Sequence, residues 1–412
     1  MEIEDINPWW TKGKVQEEYT SLHKRDLFED IVKYVEEKQI VVLSGLRRTG
    51  KTVTLHHIID LLLKENKKEN ILYFSFDLFD DFIDTIINKY SEKVKIDLKN
   101  EKIFVFLDEI QKHKNWENEL KLLYDNYPNI KFFISGSSTL FIEKKTKESL
   151  AGRAFSFIMK PLTFKEYLKI KKISYDMKRI SIYANELKKH LSHYIRIGGF
   201  PELINQFDDS KISRYAKETV LDKIIYIDIP KVFNIEEPGL LESLFSIISN
   251  NPGMIFDYDS IASDLKRNRK TISNYITYLE KAFLIRKLYN YSKNVLTSEK
   301  KLKRIYPSST IFAHLFNAQE GRIIENVMVM NLDSKFFSRV GEKEVDFISI
   351  NRNKVIPIEV KYQVSINNKD IKGLGNFMQK NDIKEGIVIT KDLEKEEKGI
   401  EFIPLWRWLL IR

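Results

Sequence analysis

Between residues 40 and 160, short apolar runs alternate with segments of helical period. The apolar runs are Ile40–Ser44, Ile71–Phe76, Ile103–Leu107, Ile130–Ser135 and Ala154–Met159, each of strand length. Amphipathic stretches such as Thr52–Lys64 and Trp116–Tyr127 lie between several of them. Strands that are apolar on both faces and separated by helices predict a parallel sheet covered on both sides. From about Pro161 to Asn250 the period is helical, broken at Gly198-Gly-Phe-Pro201. A compact helical unit at about Pro252–Tyr291 follows, then irregular basic sequence. From Gly321 the pattern reads as a helix, a hairpin over Glu344–Lys361, a second helix and a strand at Gly386–Thr390. These shifts predict four domains, at 1–160, 161–250, 251–305 and 306–412.

Composition agrees with several packed domains. The chain has 412 residues, 43% hydrophobic and 31% charged, enough for two or three cores at roughly 150 residues per domain. No apolar run approaches the ~18 residues of a membrane helix, and the acidic start Met-Glu-Ile-Glu-Asp has no apolar core of a secretory signal. With no cysteine there is no disulfide, thiolate zinc site or cysteine nucleophile. A cytoplasmic protein with no membrane partner is the expectation.

Charge changes the picture locally. Between Ala262 and Arg304, twelve lysines and arginines oppose three acids, a surplus equal to the net charge of +9 on the whole chain. Such a block fits a surface that faces a polyanion, or simply a solvated face.

The motif with the most chemistry is Gly45-Leu-Arg-Arg-Thr-Gly50-Lys51-Thr52, which matches G-x-x-x-x-G-K-[ST] between the first apolar run and a helix. Gly45, Arg48, Thr49, Gly50, Lys51, Thr52 and Val53 would wrap a phosphate with backbone N–H groups at a helix N-terminus. Lys51 would meet the β- and γ-phosphates of ATP, and the Thr52 hydroxyl would ligate Mg²⁺. Ile103-Phe-Val-Phe-Leu-Asp108-Glu109 ends a buried strand in two acids. Asp108 is placed to hold Mg²⁺ through its water shell, and Glu109 to act as general base on the attacking water. Ser135, at the tip of the next strand, or Ser137 just beyond it, either orients that water or senses the γ-phosphate, or merely caps a helix. Arg153, before the fifth strand, either neutralises γ-phosphate charge, in cis or in trans, or is a surface arginine.

The ordered set Gly-x-Arg-Arg-x-Gly-Lys-Thr, Phe-Leu-Asp-Glu-Ile-Gln, Ser-Gly-Ser-Ser, Leu-Ala-Gly-Arg, Pro-Leu-Thr-Phe-x-Glu-Tyr and Gly-Gly-Phe-Pro resembles a family of prokaryotic AAA-type ATPases. The likeness runs from about Arg25 to the end. It implies an α/β fold, a P-loop NTPase parallel sheet with a helical extension, followed by a winged helix and a C-terminal restriction-endonuclease-like domain. It also implies that the sensor strand separates the two strands bearing the nucleotide motifs.

Asp257–Ala282 reads as a helix-turn-helix. Ile272, Ile276 and Leu279 recur at helical spacing and must face a core, leaving Lys270, Ser273, Asn274 and Thr277 outside. Lys266, Arg267, Arg269, Lys270 and Asn274 are the candidate DNA contacts. Such modules also serve as packing surfaces for protein. Ser308 and Ser309 stand where relatives usually carry an aspartate. His190 and His193 lie one turn apart, which fits a shared metal less well than a solvated helix face.

In the C-terminal hairpin, a symmetric loop at Asn351–Lys354 places Asp346 opposite Glu359 and Glu344 opposite Lys361, all on one face. Two opposed carboxylates ask for a cation between them, and a metal there would sit beside Lys361. The pattern resembles the Asp…Glu-x-Lys core of the PD-(D/E)XK nucleases, with Glu325 as the extra acid on the preceding helix and Gln363 extending the strand. The alternative is a structural hairpin with a Glu344–Lys361 ion pair. The functional expectation is therefore an ATP- and Mg²⁺-dependent ATPase acting on DNA, with a homo-oligomer a further possibility. The rival expectation is a nucleotide-gated switch whose C-terminal domains bind protein and whose nuclease-like domain is inert.

Overall fold

The computed structural model describes residues 2–78, 81–136, 150–233, 235–292, 302–351, 354–363 and 365–411. Contacts divide the chain into two compact units, Met1–Lys160 and Pro161–Arg412.

The first unit holds the parallel sheet. Its strands are β1 (Ile40–Gly45), β2 (Ile71–Ser75), β3 (Ile103–Asp108), β4 (Ile130–Gly136) and β5 (Ala154–Met159), in the order β2-β3-β4-β1-β5. Every pairing is parallel. Strands β1 to β4 are buried along their whole length. This follows from runs such as Ile-Val-Val-Leu, which have no polar face to turn to water. Helices Lys51–Leu62, Ile83–Val94 and Trp116–Asn126 contribute the other side of the core. The strand β4 separates β1 from β3, so the phosphate-loop strand and the Asp108-Glu109 strand flank a common neighbour. Among the described residues no helix is long and apolar enough to cross a membrane.

The edge of this sheet is closed by the N-terminal segment. Buried Asn7 imitates a neighbouring strand: its Nδ2 donates to the Tyr73 carbonyl at 2.8 Å and its Oδ1 accepts from the Tyr73 N–H at 2.7 Å. The indoles of Trp9 and Trp10 both donate to the Ile71 carbonyl, at 3.0 and 2.8 Å. An otherwise bare edge at β2 is thereby satisfied and covered.

The second unit joins segments that the sequence pattern separated. Its nine-stranded sheet, counted among the described residues, adds β6 (Met254–Ile255), β7 (Ile285–Asn290), β8 (Lys303–Pro307), β9 (Phe336–Val340), β10 (Lys343–Asn351), β11 (Lys354–Lys361), β12 (Gly386–Thr390), β13 (Lys395–Glu397) and β14 (Ile400–Pro404). The order is β13-β14-β12-β11-β10-β9-β7-β8-β6. The expected boundary at 305/306 falls within this sheet, because β7 pairs in parallel with β9 through Tyr289 and Phe336. The helical segment 161–250 also clusters here. Ser309 donates to the Gly198 carbonyl at 2.7 Å and Thr310 to the Ile195 carbonyl at 2.6 Å. Thr163 and Glu166 of the Pro-Leu-Thr-Phe-x-Glu-Tyr motif form a capping box on helix Phe164–Ile170.

Asn7→Ala would strand a buried N–H and a buried carbonyl on Tyr73. Each unsatisfied group costs about 1–3 kcal/mol. Urea unfolding is expected to show a loss of about 2 kcal/mol or more, with no change in the slope.

Candidate functional site

The phosphate loop is held open by backbone conformations that its residue types permit. Gly45 leaves β1 at φ 148°, where a Cβ would run into the Met159 carbonyl. Gly50 stands at φ 98° immediately before the helix that begins at Lys51, and exposed Arg48 also has a positive φ, 64°. Thr49 Oγ1 donates to the Leu46 carbonyl at 2.8 Å, and Lys51 Nζ turns back on the Gly45 and Leu46 carbonyls at 3.3 and 3.1 Å. The loop thus presents a helix N-terminus and a buried ammonium at one place. Val53 lies in the first turn of that helix.

A second group braces this loop from outside the motif. Arg25, buried, donates through Nη1 to the Thr49 carbonyl at 2.6 Å and through Nη2 to the Lys160 carbonyl at 2.9 Å. Sequence reasoning did not find it, since nothing local marks an arginine that will be buried.

Asp108, at 2% exposure, is the hub of the site. Its Oδ2 accepts from Thr52 Oγ1 at 2.7 Å and from the Tyr73 hydroxyl at 2.8 Å, and its Oδ1 accepts from Ser135 Oγ. Tyr73 was also missed. The signal for it was a tyrosine inside a strand buried on both faces, whose hydroxyl must find a partner. Burial and the Asp108 charge push the Tyr73 phenol far up, so it stays a donor. Ser135 accepts from the Glu109 N–H at 3.3 Å, and Ser137 lies outside the described residues.

Glu109 has a left-handed backbone, φ 52°, that turns it out of the line of β3. Gln111 Nε2 donates to its Oε2. Burial pushes the Glu109 carboxyl up, with the Lys51 ammonium pulling the other way. A carboxylate raised by burial is a stronger base than one in water.

Arg153 does not reach this group in cis. Strand β5 runs parallel to β1 with Ile40 beside Ala154 and Gly45 beside Met159, so Arg153 is at the opposite end of the strands from the loop. Five residues of strand span about 16 Å. The guanidinium instead pairs with Asp125, Nε to Oδ1 at 3.0 Å.

In the second unit, helices Tyr258–Asp264 and Arg269–Lys281 form the expected pair. Ile272, Ile276 and Leu279 are buried, and Lys266, Arg267, Arg269, Lys270 and Asn274 are exposed. The basic block is not one free face, however. Arg267 pairs with Glu237 at 2.7 Å and Arg269 with Asp259 at 3.3 Å. Arg286 is spent on the Leu332 and Ser334 carbonyls, and Lys287 on Glu280. Lys293, Lys300 and Lys301 lie outside the described residues. Charge counting within the window could not show Glu237 or Asp259, which lie outside it, nor the backbone carbonyls that Arg286 meets.

The C-terminal hairpin has the expected register, with Phe347 opposite Ile358 and Asn351 opposite Lys354, which puts Asp346 and Glu359 next in line. The cation beside Asp346 is a protein side chain. Arg304 of β8 places Nη1 3.1 Å from Asp346 Oδ1 and 3.6 Å from Glu325 Oε2, and Nη2 2.8 Å from Glu344 Oε1. Lys361 pairs with Glu359 on its own strand at 2.8 Å, not with Glu344. Burial and the Asp346 charge raise Glu359, while Lys361 opposes the rise. Glu325 is raised likewise, against the pull of Arg304. These side chains line a cavity of about 700 Å³. Gln363 is drawn to Asp370 at 3.3 Å. Among the described residues, no cluster of three or more His, Asp or Glu side chains is arranged to hold a metal. The expected metal pair Asp346 and Glu359 does not fit this geometry, because Arg304 and the Val360 N–H take the two oxygens of Asp346. His190 and His193 both face the Tyr167 hydroxyl.

Comparison with known proteins places the chain. It is 30% identical over 408 residues to the uncharacterized protein MJ1544 of Methanocaldococcus jannaschii, covering 92% of this chain and 90% of that one. The chain belongs to that protein's family. Uncharacterized protein MJ1637 of the same organism is 31% identical over 429 residues, covering 93% and 88%, and an uncharacterized Haemophilus influenzae protein is 25% identical, covering 94% and 98%. Residues 37–168 match an AAA domain, so the first unit is AAA ATPase-like. Residues 188–320 and 318–408 match two domains of unknown function, DUF8612 and DUF4143. Among solved structures, the Walker-type ATPase PABY2304 of Pyrococcus abyssi aligns at TM-score 0.44 and 15% identity, over 72% of this chain and 96% of that one. AMPPCP-bound DnaA from Aquifex aeolicus aligns at TM-score 0.28 and 12% identity, over 62% and 86%.

If Arg153 is remote from its own phosphate loop, Arg153→Ala should leave any ATP turnover of the dilute chain within about twofold of the parent. A tenfold or greater loss in a phosphate-release assay would mean that the guanidinium meets a phosphate after all.

Proposed function

We propose that the protein is a Mg²⁺-dependent ATPase whose nucleotide state governs a DNA-binding second unit. The observation that carries the ATPase reading is the 2.7 Å contact between Thr52 Oγ1 and Asp108 Oδ2. It brings the end of the phosphate loop and the acid of the second motif to one point, as two oxygen donors of the kind Mg²⁺ takes. The bound ion would neutralise phosphate charge as a Lewis acid. Lys51 would exchange its loop carbonyls for the β- and γ-phosphate oxygens. The Glu109 carboxylate would take the proton of the attacking water, Gln111 holding its other face. Ser135 keeps Glu109 in register through the backbone N–H, and Arg25 keeps the loop in shape through Thr49.

Support for the DNA reading is the open face of helix Arg269–Lys281, which carries Lys270 and Asn274, with exposed Lys266 in the turn before it. The exposed pairs of Arg267 and Arg269 are of a weak kind, so these two can still turn to phosphates.

Glu109→Gln should bind ATP and lose about 10²–10⁴ in turnover, since an amide cannot accept the proton. The parent's turnover should fall on the acid side at a pH above the ordinary glutamate range, because burial raises Glu109 and only its ionised form is a base. Full turnover in Glu109→Gln would sink the assignment.

Lys266 and Lys270 test the DNA reading. Replacing both with alanine should lower the slope of log affinity against log salt by about 0.9 for each phosphate no longer neutralised, read by anisotropy of a labelled duplex. An unchanged slope would favour the reading in which these helices engage protein.

A further inference from the structure

We propose that Arg304 is the resident cation of the C-terminal acidic site, its guanidinium standing between Glu325, Glu344 and Asp346 where a divalent ion would otherwise be held. The inference stands apart from the nucleotide site and goes beyond the ATPase reading. It starts from a problem of charge: Asp346 and Glu359 are 7% and 6% exposed, and Glu325 and Glu344 face the same cavity. Buried carboxylates this close cannot remain ionised without a positive partner.

Arg304, 4% exposed, supplies it. A planar guanidinium offers several donors in a rigid fork, so one side chain can serve three carboxylates at once, which an ammonium on a flexible stem does less well. Tyr306 extends the network, accepting from Arg304 Nη1 at 3.2 Å and donating to Glu325 Oε2 at 3.1 Å. The second oxygen of Asp346 accepts from the Val360 N–H at 2.9 Å. Arg322 attends the other oxygen of Glu325 at 3.4 Å, and Lys361 attends Glu359. Every acid of the group therefore has a basic side chain within ion-pair distance, although Glu344 Oε1 and Glu359 Oε2 accept no hydrogen bond. A divalent ion would have to enter beside a buried positive charge or displace it.

Displacement is opposed by the burial of the guanidinium among its partners. Arg304 sits within β8, opposite Ile255 of β6 on one side and Leu288 of β7 on the other. These ladders fix the Cα of Arg304, and its guanidinium is buried, so swinging it out would leave buried carboxylates without a counter-charge. The acid pattern seen in the hairpin thereby serves to tie β8 to β10 across the sheet. The guanidinium takes the place from which a divalent ion would activate water for DNA cleavage.

The test is a Mn²⁺ titration of the full-length chain without nucleotide, free Mn²⁺ being read by electron paramagnetic resonance. Any Mn²⁺ bound at the nucleotide site is common to all variants and cancels in the comparison. Wild type and Asp346→Asn should give superimposable titrations. Arg304→Met should gain one Mn²⁺ site per chain that wild type lacks, and that site should vanish in Arg304→Met/Asp346→Asn. Arg304→Lys should gain none. A wild-type site that Asp346→Asn abolishes would overturn the proposal, as would a folded Arg304→Met chain that gains no site. Circular dichroism reports folding. If Arg304→Met does not fold, the comparison of wild type with Asp346→Asn decides alone.

Discussion

A carboxylate taken out of water must be given hydrogen bonds, and the geometry of the first unit follows from how Asp108 obtains them. Three hydroxyls converge on it, from Thr52 at the start of a helix, Tyr73 on β2 and Ser135 on β4. Because β2 and β4 flank β3, meeting that demand ties three neighbouring strands to the first turn after the phosphate loop. The loop, the acid pair and the strand between them hold their places through this one group. The N-terminal segment secures the same arrangement from the edge, since Asn7 fixes the backbone of Tyr73, whose hydroxyl reaches Asp108.

The two units solve the problem of buried acids differently, and the difference bears on function. Around Asp108 the partners named above are neutral donors, which satisfy the oxygens without cancelling the charge. The negative charge stays available to a cation, as the proposed Mg²⁺ role requires. Around Asp346 the partner is a guanidinium, which satisfies and neutralises together. Similar residue patterns, an acid ending or lying in a strand near other acids, therefore lead to opposite expectations. What differs is the charge of the neighbour, and that neighbour comes from another part of the chain in each case.

The second unit also shows how a shared sheet changes the meaning of local features. Strands β7 and β8 fall in the basic segment that follows the helix pair, yet they lie in the same sheet as the hairpin β10–β11. Through β8 the basic segment delivers one of its arginines into the acid cluster. The charge that looked like part of a surface for polyanions is partly an internal counter-charge.

Much was legible from residue order alone. The five apolar strands, the helix after Thr52 and the hairpin register each depend on spacing within a few residues, where periodicity and turn geometry are decisive. Phe347 opposite Ile358 followed from loop symmetry, and burial of Ile272, Ile276 and Leu279 from helical period. The tertiary structure decided everything that depends on partners far apart in the chain. Arg153 has the composition of a phosphate contact, but the parallel register of β5 on β1 sets it at the far end of the sheet beside Asp125. Arg25 and Tyr73 join the nucleotide site from outside its motifs, and Arg304 reaches Asp346 across 42 residues of sequence. Hydrophobic periodicity records which face of an element is dry. It carries no record of which charge will stand opposite once that face is packed, because a Coulombic partner is chosen by distance in space.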